Sequence, residues 1–372
     1  MRDLFSVVGQ SASGERQPSS TPIPFPLKID PYVASSLLQK AIRRGDAELA
    51  ERAAITLHRH RGGGIWRRFM VIAFEDVGIG SLEAIIKTTT ACTDPNERAS
   101  IGGDERAVCF LARLLAEAPK DRSPDHLMGA AWSHPAFEDA RATVGERPLA
   151  KRLSLVADTS LPLPVRAIAA WYSSGIEWGR ERRVGRGDLT GLMATFRLLD
   201  VPPDLVLATR HAAMRTREPI VIMTPLLWIA ASGTADARVV ECPVPASPMI
   251  GGVPMYALDK HTAIGKAAIH RLARENEAVC DVLATFVPEY RAKDAACMAA
   301  FYADAAPVSR RFEWDGSTEL EALGIENDML RAGVPREGVE PILTVVRDNL
   351  DHLNVIRAKL FSAAQRPAKL RR

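Results

Sequence analysis

At 372 residues the chain exceeds one typical core, so two domains or one extended helical array are expected. A net charge of +3 with 25% charged residues is far from a histone-like balance; it permits nucleic-acid contact without demanding it. The five cysteines include no C-x-x-C pair, which leaves no zinc framework or disulfide scaffold indicated, and the odd count fits a reducing cytoplasm.

Residues 1–30 are rich in Ser, Gly and Pro and read as a flexible arm, whose Pro22-Ile23-Pro24-Phe25-Pro26 docks extended on a partner or on its own domain. The most informative stretch follows, over residues 35–80. Gly45 stops a helix, and Asp46 stands where an N-cap is wanted, with Glu48 in the first turn. Leu49, Ala53 and Leu57 make one apolar stripe. Gly62-Gly63-Gly64 breaks the chain, and Ile65, Phe69 and Ile72 make the next stripe. Glu75 and Asp76 then end that helix before Gly78 and Gly80. Carboxylates at a helix C-terminus oppose its dipole, so they need support. Arg67 and Arg68, one to two turns back, are the expected partners in a structural corner of Arg67, Arg68, Glu75, Asp76 and Gly78.

This stretch resembles the helical C-terminal region of the replication-associated recombination protein A family, also called MgsA. Those proteins are clamp-loader-like AAA+ ATPases related to the Werner-helicase-interacting protein. The matching residues are Lys40-Ala41-Ile42-Arg43, Asp46, Ala53, Arg67-Arg68, Ala73 and Glu75-Asp76-Val77-Gly78, followed by Ala112-Arg113-Leu114 and Ala118-Pro119-Lys120. The resemblance spans residues 35–122, under a third of the chain. That family places an ATPase domain before this region, and here only the arm precedes it. No G-x-x-x-x-G-K-[ST] occurs: Gly62-Gly63-Gly64 runs into Ile65-Trp66-Arg67, and Gly265-Lys266 has Lys260 where the leading glycine belongs. The resemblance therefore implies the oligomerising, partner-binding end of such a machine without its motor.

Short helices follow. Ser81 and Asp104 cap two of them, Ser123-Pro124-Asp125 starts another, and Pro135 one more. Residues 149–156 and 165–172 read as helical, and Asp188 caps a helix carrying Leu192, Met193 and Phe196. The apolar run 219–231 contains Pro225 and is too short to span a bilayer, so it reads as a buried helix. Residues 238–242 are the best strand candidate. Residues 233–260 form a long Pro/Gly-rich loop, expected to be functional or disordered. A helix resumes near Thr262, and a last long helix begins near Val339 before a basic tail.

Two further clusters carry candidate chemistry. Arg180, Arg182, Arg183 and Arg186 lie in a Gly-flanked loop preceded by Trp171, Tyr172 and Trp178; aromatics beside arginines suit a nucleic-acid contact, although tryptophans in helices more often fill cores. Asp259, Lys260, His261 and Lys266 form a possible ligand site, with Asp259 either orienting His261 or capping the next helix in competition with Thr262. His58 and His60 are two apart and point apart on a helix, so they make poor joint ligands.

The expected fold is all-α: a clamp-loader collar-like helical domain over residues 31–150, then a second helical domain over 151–372. The resemblance implies a non-catalytic, homo-oligomeric interaction protein of DNA replication, recombination or repair, meeting single-stranded or forked DNA or a repair protein. No ATP hydrolysis by the chain itself, no cofactor, no metal and no membrane are expected. The alternatives are an enzyme or small-ligand protein using the Asp259–His261 region, and a protein–protein scaffold without nucleic acid.

Overall fold

Several helices begin beside a residue whose side chain accepts from free backbone N–H groups. The computed structural model describes residues 22–178, 185–233 and 236–365. Asp30 accepts from the N–H groups of Tyr32 and Val33 to start α1 (Pro31–Arg43). Gly45, at φ +72°, turns the chain, and Asp46 accepts from Leu49 N to start α2 (Ala47–Arg61). After the glycine break, α3 (Gly64–Ile72) runs into a single π-helical turn, Ala73–Val77. Ser81, Asp188 and Thr262 cap the helices Leu82–Thr93, Leu189–Leu198 and Ala263–Glu275. Asp104 does not cap: it is the first helical residue of Asp104–Glu117, with Gly103 before it, where its charge favours the dipole.

Helix accounts for 74% of the structure and strand for 4%, with 19 α-helices among the described residues, so the class is all-α. No helix among them is long and apolar enough to cross a membrane. The run 219–231 folds as a 3₁₀ turn, Pro219–Ile222, and a helix, Met223–Ser232, which places Pro225 in the first turn where its missing N–H costs nothing.

The stretch 236–260 carries more regular structure than its composition suggests. Strand Arg238–Glu241 pairs antiparallel with Arg310–Glu313, setting Val239 opposite Phe312. Lys120 joins the free edge of that pair: its N–H donates to Arg310 O at 2.8 Å, and its carbonyl accepts from Phe312 N at 2.8 Å. Met249–Ile250 and Val253–Pro254 form a small hairpin, and Val253, Met255, Ala257 and Leu258 are buried. Backbone pairing and apolar burial, both supplied from distant segments, replace the expected structureless loop.

The expected long terminal helix is two helices, Val339–Asp348 and Leu350–Gln365. Asn349 separates them; its Nδ2 bonds to Val345 O at 2.8 Å and its Oδ1 accepts from Asn276 at 2.7 Å. Asparagine side chains that bind nearby backbone compete with helix continuation in this way.

Apolar side chains gather into two main cores. The first runs from Leu27 through Trp171, Phe196 and Leu226 to Leu258, and adds Phe312, Trp314, Leu320 and Phe361. The second is built from residues 268–356, including Ile269, Leu283, Ile342 and Leu353. The first core draws on both sides of residue 150, because the helix Leu163–Ser174 packs against Ser123–Ser133, and the second core begins at Ala268.

Candidate functional site

Helix α1 organises the charged interior. All residues from 36 to 43 are buried, so its polar members Ser36, Gln39, Lys40 and Arg43 must find partners inside the protein. They do so against three other segments: the corner at 75–76, the loop at 259, and a second π-helical turn, Phe301–Ala305. Such turns recur at functional sites because they re-aim side chains within a helix.

Asp76 is fully buried. Arg43 Nε donates to its Oδ1 at 2.6 Å, Gln39 Nε2 donates to its Oδ2 at 2.7 Å, and Arg122 Nε lies 3.3 Å from Oδ1. Glu75 accepts from the same Gln39 at 2.8 Å and from Arg43 Nη2 at 3.1 Å. Burial pushes the Asp76 carboxyl up, but Arg43 and Arg122 outweigh it and hold it below the ordinary range. Burial and then the Asp76 charge push Glu75 up to about 7. The two adjacent carboxyls are thus driven apart by one set of neighbours.

The corner turns at Gly78, at φ +51°, where an added Cβ would come within 2.5 Å of Asp121 O. Asp121 N donates back to Val77 O at 3.1 Å, which fixes the segment 120–122 against the corner.

The arginines expected to close this corner do not pair with its carboxylates. Arg67 turns to the end of the helix Pro203–Thr216, donating to Thr216 O at 2.9 Å and to Glu218 at 2.6 Å. Arg68 donates to Gln39 Oε1 and so acts on the corner through Gln39. Successive helical residues point about 100° apart, and packing decides which face meets the carboxylates. The partners are Arg43, from α1, and Arg122, from the segment after the helix Asp104–Glu117. Arg43 lay within the matched Lys40–Arg43 motif, and its seven-residue spacing from Ser36 through Gln39 and Lys40 was the available signal. Arg122 offered none.

The second π-helical turn completes the enclosure. Arg43 Nη1 donates to Ala305 O at 3.2 Å. Asp304, also buried, takes Arg44 at 3.1 Å and the fully buried Arg357 at 2.5 Å. Arg44 stacks on Tyr256, 4.1 Å from the ring centre. The Phe301 ring is faced by Lys260 at 4.3 Å, Arg43 at 5.5 Å and Arg122 at 5.7 Å.

Asp259 is an anchor rather than a helix cap; Thr262 takes the cap through Gly265 N at 3.1 Å. Asp259 Oδ2 lies 2.8 Å from Lys40 Nζ and 2.7 Å from His261 Nδ1, and Ser36 Oγ donates to Oδ1 at 3.2 Å. Burial lowers the Lys40 pKa to about 8 against the pull of Asp259. Burial raises that of Asp259, but Lys40 and His261 together hold it well below the ordinary range. His261 keeps 58% exposure and stands edge-on to Phe301. This is an Asp–His dyad on a largely exposed ring, and among the described residues no hydroxyl or thiol bonds to it. Lys260 points to Phe301 and to Met298 Sδ at 2.9 Å, whereas Lys266 is exposed.

Arg180, Arg182 and Arg183 lie outside the described residues, and Arg186 is exposed. The aromatics before them are packed: Trp171 is fully buried with its Nε1 donating to Ile176 O at 2.8 Å, and Trp178 stands 4.8 Å from Trp132. Trp171 and Tyr172 belong to the core, and Trp178 is partly buried against it. His58 and His60 bond separately, to Gly62 O and Ile29 O. Among the described residues no group of three His, Cys, Asp or Glu side chains is arranged to hold a metal.

No family model, no curated protein and no solved structure matches the chain.

Proposed function

We propose that the protein is a non-catalytic helical interaction protein of DNA replication, recombination or repair, with a collar-like N-terminal half that mediates self-association. One observation carries the reading. Several of the residues on which the resemblance rests, Lys40 and Arg43 from one segment and Glu75 and Asp76 from another, are drawn into buried ion pairs, and Asp121, next to the matched Lys120, bonds through its N–H to Val77 O. Asp76 at its centre takes one hydrogen bond on each oxygen, from Arg43 and Gln39, with the Arg122 guanidinium beside it as a further counter-charge, which suits holding a shape. The exposed Arg186 and the basic residues beside it in sequence supply the DNA contact in this reading.

Light scattering after size exclusion, with and without single-stranded DNA, tests it. An oligomer that binds DNA with a steep salt dependence is expected, and replacing Arg180, Arg182, Arg183 and Arg186 together by Ala should lower that slope. A monomer that ignores DNA at low salt overturns the reading. An oligomer without DNA binding leaves a protein–protein scaffold.

The Asp259–His261 dyad favours a second reading, a small-ligand site, because the exposed ring is oriented by a buried carboxylate. Loss of ligand binding in His261→Ala with unchanged stability would select it.

A further inference from the structure

A cleft of about 330 Å³ opens at the edge of the second core, where the Lys120–Arg122 segment meets Tyr302, Ile325 and Leu343. Its size falls at the lower end of small-ligand pockets. Four cationic side chains line it, Lys120, Arg122, Arg311 and Arg347, against the single carboxylate of Glu321. The rest of the wall is largely apolar, with Val308, Ile325 and Leu343 among it.

The cations are unequally answered. Arg122 is matched by Asp76 and Asp125, and Arg311 by Glu321. Lys120 Nζ rests on main-chain carbonyls, those of Ala116 at 2.9 Å and of Ala118, with no carboxylate within ion-pair distance among the described residues. Arg347 reaches only Glu340, at 4.0 Å, and both side chains are more than half exposed. Burial lowers the Lys120 pKa to about 7, as expected for an ammonium lacking a close counter-charge. Guanidinium forks on an apolar wall match a planar or tetrahedral oxyanion bidentately.

We propose that this cleft binds a small organic anion, a phosphate monoester or carboxylate on a compact body, held by Arg347 and Arg311 over the apolar wall. Lys120, which has no carboxylate within ion-pair distance among the described residues, adds positive charge to the wall when protonated. The site is separate from the Asp259–His261 dyad and from any DNA surface near Arg186.

Titration calorimetry of the full chain at low ionic strength tests this with two probes, ribose 5-phosphate and citrate. At least one is expected to bind, with affinity falling as salt rises. Arg347→Ala should weaken that binding about tenfold or more, the scale of one charge-assisted hydrogen bond, while Arg271→Ala, which removes an exposed arginine paired with Glu275, leaves it unchanged. Arg347 is half exposed, so its variant is expected to fold, and circular dichroism checks this. Binding of ribose 5-phosphate alone assigns the site to phosphate, and of citrate alone to carboxylate; both support the proposal. Failure of both probes, or equal losses in the two variants, overturns it.

Discussion

Arg43 and Asp76, 33 residues apart in the chain, are joined by a 2.6 Å bond from Nε to Oδ1 with both side chains essentially out of solvent. The same guanidinium reaches Glu75 in the first π-helical turn and Ala305 O in the second. One side chain of α1 therefore ties the corner of the first core to the turn that borders the second. A lysine ends in a single ammonium nitrogen and lacks the planar fork that spreads these donors over separated acceptors.

Asp76→Ala should lower stability by about 3–5 kcal/mol, because Arg43 and Arg122 stay buried after losing their shared carboxylate. Asp76→Asn should retain most of that loss. The amide keeps the shape but removes the charge, and it turns an NH₂ group toward a guanidinium or toward the Gln39 donor. Urea unfolding of both variants measures this, and an Asp76→Asn protein as stable as the parent would refute the buried-charge account.

Glu75 predicts a pH dependence. Its carboxyl is pushed up to about 7 from an ordinary 4.5, so between those values the folded chain holds a proton that the unfolded chain has released. The contribution of Glu75 to stability is therefore greatest below pH 4.5 and declines as pH rises through 7. Glu75→Gln removes that decline. The variant should exceed the parent at pH 8 by up to about 3 kcal/mol, with the advantage shrinking toward pH 5. His126, whose pKa is lowered by burial, contributes the opposite slope, but it does so in both proteins and cancels in the difference. A pH-independent difference between the two would count against this placement of Glu75.

Asp259 and His261 should separate sharply in unfolding experiments. Asp259→Ala strands the buried Lys40 ammonium and should cost about 3–5 kcal/mol. His261 is 58% exposed, and losing it should cost no more than about 1 kcal/mol. Comparable losses from both substitutions would mean that His261, not Lys40, is the partner that matters to Asp259.

Events completed within a turn or two were legible in the residues. Asp46, Ser81, Asp188 and Thr262 cap helices because a short oxygen-bearing side chain reaches its own next N–H groups without help from the rest of the chain. The spacing of Leu49, Ala53 and Leu57 likewise chose the buried face of α2. Where two local solutions were equally good, distant residues chose. Asp259 and Thr262 were both acceptable caps, and the arrival of Lys40 from α1 drew Asp259 inward. Arg67 was as close in sequence to the acidic corner as a partner needs to be, yet packing of α3 aimed it at Glu218. Residues 238–241 had strand character, but their partner at 310–313 became visible only when the chain closed. The reason is common to all three. Caps and stripes depend on dihedral geometry that a few neighbours set, whereas the partner of a buried charge depends on which helix faces meet, and that is settled by the burial of apolar surface across the whole chain.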